Sequence, residues 1–101
     1  MDEPRHVLLQ ERERIRDFFE SRGIGHVRVF GSVARGEDAA RSDVDFLVEL
    51  PDARSAGEEL LTVLGLTEEL SQLLDLHVHV VSPGTLRDEV RAGAIAESVP
   101  L

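Results

Sequence analysis

Two hydrophobic periods alternate along the chain, and each change of period marks a new element. From Asp2 to Gly23 the apolar residues Val7, Leu8, Ile15, Phe18 and Phe19 recur at helical spacing, opposite Glu11, Arg12, Glu13, Arg14 and Arg16. Asp2 as a cap and Pro4 in the first turn predict the start of that helix, and Gly23 its end. The period then falls to two. In His26 to Phe30, Val27 and Val29 face one side, while His26, Arg28 and Phe30 face the other. A second strand places Val44, Phe46, Val48 and Leu50 on one face and Asp43, Asp45, Leu47 and Glu49 on the other. Ser55 and Glu58 form an S-x-x-E capping pattern that opens a second long helix. Its expected core stripe is Leu60, Val63, Leu64, Thr67, Leu70 and Leu74. Leu61, Leu66 and Leu73 are in excess of one buried face and mark a candidate partner surface. A third strand runs from Leu76 to Val81, with Asp75, His77 and His79 on the polar side. After the turn Ser82-Pro83-Gly84, Thr85 begins a last helix carrying Leu86, Val90 and Ile95.

The order is therefore helix, strand, strand, helix, strand, helix, with a short helical turn expected at Val33 to Arg35. A strand that returns through a helix tends to run parallel to its predecessor. This predicts an α/β (α+β) fold: a small mixed β-sheet with helices on one face and Asp43 and Asp45 on the other. A length of 101 residues suits a single domain, 1–101, with one modest core.

Composition narrows the function. Twenty acids against eleven bases, all arginine, give a net charge of −9. Such a surface repels phosphate backbones, so direct nucleic-acid binding is not expected and a basic protein partner fits better. With no cysteine, there is neither a disulfide framework nor a zinc–thiolate site. No apolar run reaches membrane-spanning length and the N-terminal stretch is acidic, so the expectation is a cytoplasmic protein without a membrane role.

The candidate chemistry lies between Val29 and Leu50. Asp43 and Asp45, two apart on a strand, share a face with Cα atoms roughly 7 Å apart, close enough to converge on a hard cation. The plain alternative is a solvated strand edge with two acids. Upstream, Gly31 ends an apolar strand where the chain must turn sharply, and Ser32 can cap the helical turn that follows. Backbone N–H groups at such a start, the Ser32 hydroxyl and the Arg35 charge would form an anion site. The plain alternative there is an ordinary Gly-Ser turn.

Taken together, Gly31-Ser32, ten intervening residues and Asp43-Val44-Asp45 resemble the signature of the DNA polymerase β-like nucleotidyltransferases. The finer pattern, G-S-x-A-R-G at 31–36 and S-D-x-D-x-x-V at 42–48, is similar to the minimal nucleotidyltransferases, some of which are antitoxins of HEPN-domain toxins. The resemblance implies metal-dependent transfer of AMP from ATP to a partner protein, with Mg²⁺ (Mn²⁺ as the alternative) as the metal. It implies a helical HEPN-type partner in a hetero-oligomer. It assigns Gly31, Ser32, Arg35 and Ser42 to the nucleotide, and Asp43 and Asp45 to catalysis and metal. The family pattern has a third carboxylate on a neighbouring V-D-L-V-like strand; the matching run here is Val78-His79-Val80-Val81, which puts His79 at the third catalytic and metal position. Imidazole suits softer ions than Mg²⁺ does, yet it is a competent general base near neutral pH. Two further readings follow: an antitoxin of the same fold that acts by binding alone, and a transferase acting on a small molecule. The second of these would need an acceptor domain that this chain lacks.

Overall fold

The first amphipathic segment folds into α1, Arg12–Glu20, which buries Ile15 and Phe19 and leaves its arginines and acids in water. Gly23, at φ +77°, ends it in the left-handed region that glycine enters without a Cβ penalty. In the computed structural model, residues 10–31, 44–50 and 53–101 are described. The Asp2–Pro4 start of the helix, with Val7 and Leu8, and the turn at Val33 to Arg35 lie outside them.

Three strands follow the alternation of the sequence: β1 Val27–Phe30, β2 Val44–Val48 and β3 Val78–Val81. β1 and β2 pair antiparallel, with Val29 opposite Phe46 and Phe30 opposite Asp45. β2 and β3 pair parallel, with Val44 opposite Val78 and Asp45 opposite His79. The parallel pair is joined by α2, Ala56–Leu74, as a helical crossover requires. Two residues with no assigned element in the sequence reading, Val99 and Pro100, form a short β4 antiparallel to β1. The mixed four-stranded sheet has the order β3-β2-β1-β4.

One face of the sheet carries the core. Val44, Phe46 and Val48 of β2, Val78 and Val80 of β3, Ile15 and Phe19 of α1, and Val63, Leu66 and Leu70 of α2 form one buried cluster. The rings of Phe19 and Phe46 meet at 5.9 Å, and Phe18 stands edge-on to Phe19 at 5.1 Å. The opposite face carries Asp45 and is not bare throughout. Leu47 on that face is only 5% exposed, and Ala94 of α3, Asp88–Glu97, is buried outside the main cluster. Arg28 of β1 holds the end of α3 in place by donating to the Ser98 hydroxyl at 2.7 Å and the Ser98 carbonyl at 2.9 Å.

The α2 stripe differs from the expected one. Val63, Leu66 and Leu70 are buried, with Leu73 and Leu74 packed against the cluster, while Leu60 and Leu64 are exposed. The buried face is turned around the helix from the expected one, since Leu64 is exposed between buried Val63 and Leu66. Ser55 caps the helix as expected, accepting from the Glu58 N–H at 3.1 Å. The start of α2 is pinned instead by Glu59, whose carboxylate accepts from the buried Ser82 hydroxyl and lies where a Cβ on Gly84 would fall. The last helix begins at Asp88 rather than Thr85, because Pro83–Thr85 closes a 3₁₀ turn of its own against Ser82.

Candidate active site

Asp45 stands at the second position of β2, flanked across the sheet by Phe30 on one side and His79 on the other. Residues opposite each other on neighbouring strands point to the same face, so the parallel register alone brings Asp45 and His79 together. Nδ1 of His79 lies 3.5 Å from Oδ1 of Asp45. The aspartate side chain is 23% exposed and the imidazole 60%, so the pair is accessible, with its carboxylate the more enclosed. A neutral imidazole that keeps its proton on Nδ1, toward the carboxylate, has its basic lone pair on Nε2.

The other carboxylate oxygen is placed by the β1 turn. Gly31 has φ +79°, and a Cβ built there would land on Oδ2 of Asp45, with Cγ at 3.4 Å. The glycine thus does two things: it turns the chain out of β1 in a conformation closed to most residues, and it lets the backbone approach the carboxylate. The sequence marks Gly31 as a turn; the close contact with Asp45 follows only from the antiparallel register of β1 and β2.

Of the residues the sequence singled out, Gly31, Asp45 and His79 are gathered at one end of the sheet. Ser32, Arg35, Ser42 and Asp43 lie outside the described residues. Among the described residues no group of three or more His, Asp or Glu side chains gathers tightly enough to hold a metal ion by itself. Asp75, which the alternation put on the polar face of the third strand, is not on a strand. It caps α2 in the left-handed conformation at φ 50°, ahead of β3. A separate cleft of about 540 Å³, lined among others by Arg16, His26, Arg28 and Glu49, lies at the far end of β1 and β2 and includes none of the candidate catalytic residues.

One contact with no forecast in the sequence concerns the outer edge of β3. Thr67, expected in the core stripe, donates to the Val63 carbonyl at 2.7 Å and accepts the Val80 N–H at 3.0 Å. The signal was present: a hydroxyl inside an apolar stripe that faces a sheet needs a backbone partner.

The nucleotidyltransferase domain family matches residues 12–101, which includes every described strand and helix. The chain belongs to the nucleotidyltransferase family. A protein adenylyltransferase MntA from Thermococcus cleftensis is 34% identical over 99 residues, covering 98% of this chain and 93% of that protein. A solved structure described as a candidate minimal nucleotidyltransferase superposes with a TM-score of 0.77 at 37% identity, over 100% of this chain and 97% of the other. A toxin–antitoxin complex of MntA with HpeT shares the fold at a TM-score of 0.70 and 18% identity, over 89% of this chain and 70% of that one. Within this minimal nucleotidyltransferase fold, the Gly31 turn, Asp45 and His79 sit on adjoining strands of the mixed sheet.

Proposed function

We propose that this nucleotidyltransferase transfers AMP from ATP to a hydroxyl of a HEPN-type toxin and so acts as its antitoxin. The observation that carries the reading is the in-register pair Asp45 and His79, 3.5 Å apart beside the Gly31 turn. In the reaction the acceptor oxygen bonds to the α-phosphorus, the bond from that phosphorus to the pyrophosphate oxygen breaks, and the acceptor proton leaves. That proton passes to solvent; the Nε2 lone pair of neutral His79 is left for the metal, while Asp45 orients the imidazole and, with Asp43, supplies oxygen ligands. The donor set of carboxylate and imidazole fits a divalent cation, Mg²⁺ or Mn²⁺. When bound, that cation neutralises charge on the phosphates and aligns attacking and leaving oxygens. Gly31, Ser32, Arg35 and Ser42 are assigned to the nucleotide phosphates, on the argument that a glycine turn with backbone donors and one arginine cradles an anion. ATP as donor is supported by the protein adenylyltransferase relative and by a toxin–antitoxin crystal structure with AMP-PNP that shares the fold at a TM-score of 0.72.

Intact-mass spectrometry checks this directly. The chain is incubated with ATP, divalent metal and a co-purified HEPN-type protein of the same genome. The expected outcome is a partner heavier by one AMP, only when metal and ATP are both present. A stable complex with no mass gain would instead identify an antitoxin that works by binding, the reading that the replacement of the third acid by His79 would favour.

A further inference from the structure

The first half of α2 exposes three large apolar side chains within little more than one turn: Leu60 at 48%, Leu61 at 73% and Leu64 at 56%. Leu61 also lines, with Gly65, Leu50 and Leu66, a groove of about 380 Å³ between α2 and the end of α1, and Leu60 and Leu64 continue the apolar surface around the helix beside it. Gly65 is the informative residue. A glycine inside a helix is unfavourable relative to alanine, and among the described residues nothing requires one here, since an added Cβ would meet no atom within 4 Å. A residue the fold does not need, beside leucines the fold does not bury, is explained by a second surface that approaches the helix closely.

Charge and topology say what that surface is. Glu58 and Glu68 flank the leucines, while Arg22 pairs with Glu69, at 2.6 Å. On a chain of net charge −9, a second copy would set acid against acid. Strand addition is also disfavoured at both edges of the sheet: the Val80 N–H on β3 is taken by Thr67, and Pro100 on β4 has no N–H to give. We infer that the face formed by Leu60, Leu61, Leu64 and Gly65 receives an amphipathic helix of the partner, its apolar side laid across Gly65 and its edges rich in arginine or lysine.

This rests on the proposed toxin partner, so the test must separate the two. The HEPN-type proteins of the same genome serve as probes in titration calorimetry with the full native chain and with Leu61→Arg, Gly65→Leu and, as a control on α3, Val90→Arg. The expected result is that Leu61→Arg and Gly65→Leu each weaken binding by at least about tenfold, while Val90→Arg binds as the native chain does. Gly65→Leu should melt no lower than the native chain, because the groove has room for it, so its lost affinity cannot be a folding defect. Unchanged affinity in both α2 variants overturns this assignment and leaves the proposed function standing. No binding by the native chain overturns both. A native chain that self-associates, and is dispersed by Leu61→Arg, overturns it in favour of a second copy.

Discussion

Asp45→Asn should reduce AMP transfer by about a hundredfold to ten-thousandfold while leaving the melting temperature close to native. Asn keeps the shape and the position opposite His79 but removes the negative charge that binds metal and orients the imidazole. Losing several kcal/mol of transition-state stabilisation corresponds to that range of rate. The stability effect is small because the carboxylate is partly exposed and the imidazole it faces is 60% exposed. Single-turnover transfer and a thermal melt on the same preparation check both halves. A variant that transfers normally would remove Asp45 from the chemistry.

Gly31→Ala should damage both fold and site, and Gly23→Ala shows how the two effects separate. Both glycines have nearly the same positive φ, +79° and +77°, so each alanine pays a similar backbone penalty of about 1–2 kcal/mol. They differ in what the new Cβ meets. At Gly23 it meets nothing within 4 Å, while at Gly31 it falls on the Asp45 carboxylate, which must swing away. Misplacing a catalytic group by about 1 Å can reduce rate roughly a hundredfold. The expected result is a comparable drop in melting temperature for both variants, with transfer and metal–ATP affinity lost only in Gly31→Ala. Equal affinity for metal–ATP in the two variants would show that the Gly31 contact has no bearing on the site.

Much of this architecture can be read from the chain because each step is local. Alternation placed β1 and β2 to within a residue or two; Ser55 and Glu58 marked the start of α2; a helix between strands implied the parallel β2–β3 pair. The resemblance of V-H-V-V to the family's V-D-L-V-like strand singled out His79, and in the fold His79 pairs with Asp45 across β2 and β3. What escaped the sequence depends on where elements end in space. Leucines on several sides of α2 do not say which side meets the sheet, so Leu60 and Leu64 fitted a core stripe as well as Leu66 does. The left-handed cap at Asp75 was invisible to a period-two pattern that ran through it. β4 has only two residues, one of them a proline, too few for any period to register. The contact of Gly31 with Asp45 joins residues that are distant in sequence, and only the strand pairing brings them together.

That His79, which the family resemblance puts at the position of a third acid, is a working member of the site is the proposal on which the chemistry turns. It is tested by AMP transfer to the HEPN-type partner with native chain, His79→Ala and His79→Asp, each in Mg²⁺ and in Mn²⁺. The native chain should work better with Mn²⁺, because imidazole favours the softer ion. His79→Ala should lose transfer by about a hundredfold or more in both metals, and His79→Asp should transfer with its preference moved toward Mg²⁺. Equal transfer by the native chain and His79→Ala would contradict the proposal.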